Sequence, residues 1–338
     1  MNLIRFVLAV LVFAFSPFTF ATDQIVIKFS HVVAPSTPKG KAALKFKELA
    51  ELSAKGQVKV EIYPNSQLYK DREELEALQL GAVQMLAPSL SKFGTLGIRD
   101  FEVFDLPYIF PNKESLHRVM DGDVGKKLLT KLETKDIIGL AYWDNGFKQM
   151  SANKPLRAVE DFKGLKLRIQ SSKVLEAQMK ALGANPQVMA FSEVYTALQQ
   201  GVVDGTENPV SNLYTQKMHE VQKHLTLSDH GYLGYAVIVN KKFWESLPKD
   251  IRATLEQAMH EASEYERVIA QQENDDALAK VKAAGTTEIY VLQLKDRLLW
   301  HKALLPVHKE FESIIGKELI YAIYNVAAQV EKEKAAKK

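Results

Sequence analysis

From Lys249 to Ala284 the chain contains neither glycine nor proline. Pro248 stands at the start, where it suits a first helical position, and Gly285 follows as a stop. Ile251, Leu255, Ala258, Met259, Ala262, Tyr265 and Ile269 keep a 3.6-residue period over the first half, and the pattern then turns polar. One helix over this stretch extends about 50 Å at about 1.5 Å per residue. That is longer than one small lobe, so the helix is expected to pack across two and couple them. The competing reading is two helices divided near Gln271–Asp276.

A chain of 338 residues has room for two lobes, each with its own core. Strand and helix patterns alternate accordingly. Ile25–Phe29, Val58–Ile62 and Val83–Ala87 read as strands, with helices from about Gly40 to Ser53 and from Asp71 to Leu80 between them. After Gly139 the pattern returns. Leu140–Trp143, Leu165–Ile169 and Val202–Asp204 read as strands, and residues 172–182 and 192–200 as helices, the second with Ser192 as N-cap. This order argues for a mostly parallel sheet covered by helices.

Composition narrows the chemistry. The chain is 46% hydrophobic and 25% charged, which is ordinary for a globular protein and excludes disorder, collagen and coiled coil as the main architecture. There is no cysteine, hence no disulfide, no thiolate nucleophile and no cysteine-bound metal. A net charge of +3 with scattered basic residues does not point to nucleic acid. At the N-terminus Arg5, the apolar run Phe6–Phe15 and the Thr19-Phe-Ala21 end form a secretory signal, with cleavage expected after Ala21. The apolar run is short for a bilayer span of about 20 residues.

Enzyme motifs are missing: no GxxxxGK[ST], no GxGxxG after a strand, no GxSxG. His219 and His224 are five residues apart, which on a helix turns them about 140° out of line and unfit to share a metal. Asp275-Asp276 and Asp121-Gly-Asp123 lie in polar surroundings and read as solvated faces or turns. What remains are cations and amides in apolar segments. Arg168 shares a strand face with Lys166, opposite Leu165, Leu167 and Ile169, and either snorkels to solvent or lines a pocket. Asn208-Pro209 closes a strand end, where α/β sheets place ligands, although Asn-Pro also makes a plain turn.

Three stretches carry a family resemblance: Gly164-Leu-Lys-Leu-Arg-Ile169, Met189-Ala-Phe-Ser-Glu-Val-Tyr-Thr-Ala-Leu-Gln199 and Val203-Asp-Gly-Thr-Glu-Asn-Pro209. Tyr63–Leu68, Phe104–Tyr108 and Val221–Leu225 support it, in family order along nearly the whole chain. Together they resemble the solute-binding subunits of tripartite ATP-independent periplasmic (TRAP) transporters, most closely the binders of four-carbon dicarboxylates. The resemblance implies a two-lobed α/β periplasmic binding protein fold. Each lobe would be a mixed sheet flanked by helices, with a long helix spanning both. Lobe I would comprise residues 22–146 and 234–270, and lobe II 147–233 and 271–338.

The resemblance also implies a site. Arg168 takes the place of the selectivity arginine that salt-bridges a ligand carboxylate, Asn208 supports that carboxylate, and Phe191 packs against the ligand. His31 and Ser89 fall at further contact positions. Lys148 stands where binders of acidic sugars carry an arginine, and Lys70 where they carry an acidic residue. Burying a dianion requires cations at both ends, so Lys148, Lys70 or Lys28 is expected to neutralise the second carboxylate. The expected protein is a monomeric periplasmic binder of malate, succinate or fumarate that delivers its ligand to membrane permease subunits. It would be no enzyme and use no cofactor or metal. Alternatives are a binder of a sugar, keto or aromatic acid, a sensor that docks on a receptor, or a secreted α/β hydrolase.

Overall fold

In β1 (Ile25–Ser30) the alternation of side chains buries Ile27 and Phe29 and leaves Val26 and Lys28 exposed. A computed structural model describes residues 24–337, so the expected export signal lies outside the described residues. Thr37 caps α1 (Pro38–Ser53), its hydroxyl accepting from the Gly40 N–H at 3.1 Å, with Pro38 at the first turn. These two residues start the helix slightly before the apolar pattern does. Then come β2 (Val58–Tyr63), α2 (Glu74–Gln79), β3 (Met85–Leu86), α3 (Lys113–Asp121) and α4 (Asp123–Lys131). β4 (Ile137–Ala152) leads into β5 (Lys166–Ile169), α5 (Lys173–Ala181), β6 (Asn185–Val188), α6 (Val194–Gln199), β7 (Gly205–Asn208) and α7 (Val210–Thr215). The chain ends through β8 (His224–Asn240), α8 (Lys241–Ser246), α9 (Lys249–Ala284), β9 (Glu288–Val291), α10 (Leu294–Leu304), α11 (Pro306–Phe311) and α12 (Lys317–Ala336).

Among the described residues the strands form one mixed sheet in the order β2-β1-β3-β8-β4-β7-β5-β6, with β9 also paired to β8. Pairing is parallel towards both ends, but the centre is a long antiparallel ladder of β4 and β8, from Ile137 opposite Asn240 to Ala152 opposite His224. That ladder corrects the mostly parallel reading and joins the two groups of strands into one sheet. Two local expectations also change. The strand before Asn208 is Gly205–Asn208 rather than Val202–Asp204, and Ser192 lies within a 3₁₀ turn, Phe191–Glu193, instead of capping α6.

The helix α9 is continuous for 36 residues. Its polar stretch stays helical with the help of i,i+4 side-chain bonds from Gln271 to Asp275 and Gln272 to Asp276. Its first half, from Ile251 to Ala262, packs with Phe29, Phe46 and Trp143 in one core. Ala277 and Val281 pack with Val194, Leu198 and Leu213 in another. One helix therefore ties both ends of the sheet together. Midway the buried face runs Ala262–Glu266–Ala270, while Tyr265, expected inside, is exposed. The glutamate is tolerated there because its Oε2 accepts the Asp144 backbone N–H at 2.9 Å. Beside it, Asn274 donates to the Asn145 carbonyl and accepts from the Ser211 N–H at 3.0 Å, so α9 is pinned to β4 and α7.

Candidate functional site

Arg168 sits on β5, between β7 and β6, and is only 2% exposed. The guanidinium does not snorkel. Its Nε and Nη2 donate to the Met189 carbonyl at 3.0 and 2.9 Å, and the Phe191 ring lies 5.6 Å from its carbon. Two N–H groups on one side edge of the fork are thus occupied. The end edge, Nη1 with the second Nη2 proton, makes no salt bridge to any described residue.

Arg168 faces a narrow cavity whose walls come from both ends of the sheet. Gln170, Phe191, Asn208 and Asn212 contribute from its own side; Val32, Val33, Lys39, Asp71, Ser89 and Lys92 line the opposite side. Leu233 and Tyr235 of β8 close the middle. Asn208 ends β7, its amide donating to Thr206 Oγ1 at 3.3 Å. Ser89 caps the 3₁₀ turn that carries Lys92.

Two lysines on this wall were not anticipated. Lys92 is buried between Asp71 and Glu74 and bonded to both carboxylates. Burial opposes its charge, but the two carboxylates hold its pKa above the usual lysine value. Burial also disfavours the Asp71 anion; Lys92 and Arg168 outweigh that and hold Asp71 at about 2. Lys39 is 1% exposed and has no anionic partner among the described residues: its amine donates to the Ala87 carbonyl at 2.9 Å and stands 3.7 Å above the Tyr235 ring. Burial, reinforced by Lys92, lowers it to about 7.

Asp71 also belongs to a latch across the cavity mouth. Lys70 pairs with Glu193 at 2.9 Å, Asp71 accepts the Phe191 N–H, and Arg72 donates to the Val188 carbonyl at 3.0 Å. Three consecutive residues from one side thus hold the 188–193 segment of the other.

Of the residues expected to bind ligand, Arg168, Asn208 and Phe191 meet on one cavity wall and Ser89 lines the opposite one. His31 lies just behind it, preceding Val32 and Val33. It is buried beside Lys39, with no well-formed hydrogen bond to either ring nitrogen, and its pKa is pushed down to about 3 by burial and then by Lys39. The other three lysines are not on this wall. Lys70 is half exposed and engaged by Glu193, and Lys28 points outward from β1. Lys148 is buried on Glu207 at 2.7 Å, and His230 holds the other Glu207 oxygen at 2.9 Å. Burial opposes the Glu207 anion, yet Lys148 and His230 bring its pKa to about 2. Successive strand residues point to opposite faces, so Glu207 turns to this triad while Asn208 turns to the cavity.

A cation-lined cavity closed between two parts of one sheet defines a protein that encloses a small anionic solute. The family model described as bacterial extracellular solute-binding protein, family 7, matches residues 29–314, and the chain belongs to this family. It is 66% identical to the C4-dicarboxylate-binding periplasmic protein DctP of Rhodobacter capsulatus, over 91% of this chain and 92% of that protein. Among solved structures it resembles a TRAP periplasmic solute-binding protein from Sulfurospirillum deleyianum with bound succinate (TM-score 0.87, 50% identity, 90% of this chain and 99% of that one). A TRAP solute-binding protein from Pseudomonas aeruginosa with bound L-malate gives TM-score 0.82 at 44% identity, over 85% and 99% of the two chains.

Proposed function

We propose that this protein captures a four-carbon dicarboxylate such as succinate, malate or fumarate in the cavity and hands it to the membrane permease of a TRAP transporter. The carrying observation is a pair of buried basic groups on opposite walls, Arg168 and Lys39, neither held by a carboxylate among the described residues. One carboxylate fits the end edge of Arg168 with Asn208 as amide donor, and Phe191 covers the carbon chain. The second fits Lys39, with Lys92 and Ser89 beside it. This gives Lys39 the role expected of Lys148, Lys70 or Lys28, while Lys148 supports Asn208 from behind through Glu207. The relatives' dicarboxylate ligands support the same reading.

In this reading residues 1–21 export the chain to the periplasm, where it works as a monomer without catalysis or cofactor. Lobe I is 22–146 with 234–270 and lobe II is 147–233 with 271–338; closure of one on the other excludes water and strengthens the ionic contacts. Bound ligand stabilises the folded state by RT ln(1 + [L]/Kd), about 2.7 kcal/mol at a hundred-fold excess over Kd. A thermal-shift series should therefore show Tm rising by several degrees with succinate, malate or fumarate. A rise only with a sugar acid or a monocarboxylate would overturn the ligand assignment.

A further inference from the structure

We propose that capture of the dicarboxylate is coupled to uptake of a proton by the Lys39 amine. The inference rests on the dicarboxylate reading and adds to it a proton that enters the cavity with the ligand.

Lys39 is a buried amine whose surroundings offer only weak support for a charge. Its nearest polar partners are one carbonyl, that of Ala87, and the face of Tyr235. The charged and titratable groups that face it are few. Lys92 repels it, and the two carboxylates that could offset this, Asp71 and Glu74, are already bonded to Lys92. His31 is buried beside it and uncharged at neutral pH. Burial keeps the Tyr235 hydroxyl protonated, so it supplies no anion. Arg168 on the far wall adds positive charge. Lys41, two residues on, is engaged by Glu273. With the cavity empty, burial and Lys92 bring Lys39 to about 7, so much of it is uncharged at the pH of neutral solution.

A ligand carboxylate changes that balance. It brings a full negative charge at contact distance, which no side chain among the described residues supplies, in a site from which water is excluded, and that charge restores the ammonium form. The step is a simple protonation: dianion, neutral amine and one solvent proton give the bound dianion on an ammonium. No covalent bond other than N–H forms. Arg168 cannot take this part because its guanidinium stays charged throughout. Lys92 cannot either, since it is already charged on Asp71 and Glu74. Ligand affinity should then change little between pH 6 and 7, where succinate is still mostly a dianion, and fall up to ten-fold per pH unit above that, because each unit makes the protonated amine ten-fold rarer.

The test is calorimetry of succinate binding in buffers of different ionisation enthalpy, which counts protons. Uptake should be close to zero at pH 6 and approach one proton per ligand by pH 8.5. Lys39→Arg, charged at every pH, should bind succinate without uptake. Lys39→Met should bind weakly, also without uptake, and His31→Gln should keep it. Difference titration of ligand-free wild type against Lys39→Met should reveal one group near pH 7. Tight succinate binding with no proton uptake at pH 8.5, or uptake that survives in both Lys39 variants, overturns the proposal. If succinate gives no heat while the ligand-free titration shows the group, the dicarboxylate reading itself fails and the coupling goes with it.

Discussion

Arg168→Ala removes the one guanidinium among the described residues that lines this cavity, and its effect can be worked from its contacts. The Met189 carbonyl occupies Nε and one Nη2 proton, leaving a two-donor edge for the ligand. Hydrogen bonds to charged groups are worth about 1.5–3 kcal/mol each, and removing one partner of a buried ion pair costs about 3–5 kcal/mol because the other charge is stranded. At 1.4 kcal/mol per decade, Kd for succinate should rise roughly a hundred- to several-thousand-fold. Arg168→Lys keeps the charge but cannot serve the Met189 carbonyl and two ligand oxygens together, so the rise should be about ten- to a hundred-fold. The fold should survive in both. Arg168→Ala takes these donors from the Met189 carbonyl but also relieves burial of a guanidinium, which itself disfavours the charged form here. Titration calorimetry gives Kd, and circular dichroism melting of the ligand-free protein checks the fold. A folded Arg168→Ala protein that binds succinate within a few-fold of wild type would refute the reasoning.

Two further predictions concern stability against pH. Glu207, held at about 2 in the fold, binds protons less readily than in the unfolded chain, so its contribution is complete above its ordinary value near 4.5 and is lost as pH falls towards 2. Glu207→Gln should lower stability at pH 7 by about 3 kcal/mol, and the acid limb of a urea-unfolding series should flatten; an unchanged midpoint would contradict the triad. Glu266 has the opposite sign. Burial, then the nearby Asp144 charge, raise its pKa well above the usual value, so it favours folding most at low pH and the benefit fades as pH rises. Glu266→Gln should gain stability relative to wild type as pH rises above the ordinary glutamate range, by up to about 1.4 kcal/mol per unit, and parallel pH profiles would exclude this.

How far the sequence led depended on the range of the interactions that decide each feature. β1, α1 and α9 were legible because alternation, Thr37-Pro38 and the Gly- and Pro-free run act locally. β4 and β8 were not, beyond the apolar Leu140–Trp143. Their middles carry Asp144, Gln149, Asp229 and His230 at buried or partly buried positions, with glycines at 146, 231 and 234, which erase a period-2 signal. They are strands because each is the other's partner.

The site divides in the same way. Arg168, Asn208, Phe191 and Ser89 lie in recognisable motifs at strand or turn ends. Lys39 and Lys92 look like ordinary helix and turn lysines, and only the sheet order buries them against the same cavity. Lys148 shows the converse. The family resemblance suggested a ligand cation there, but Glu207, 59 residues on, pairs with it through β7. No local pattern carries a contact across that distance.

The central claim is that the cavity is built for two carboxylates. Calorimetric binding of succinate and of butyrate, which share a four-carbon skeleton and differ by one carboxylate, tests it most directly. With cations on both walls, succinate should bind at least a hundred-fold more tightly at pH 7, and Lys39→Met should remove most of that margin. Equal affinity for the two acids, or a margin unchanged in Lys39→Met, would contradict the account.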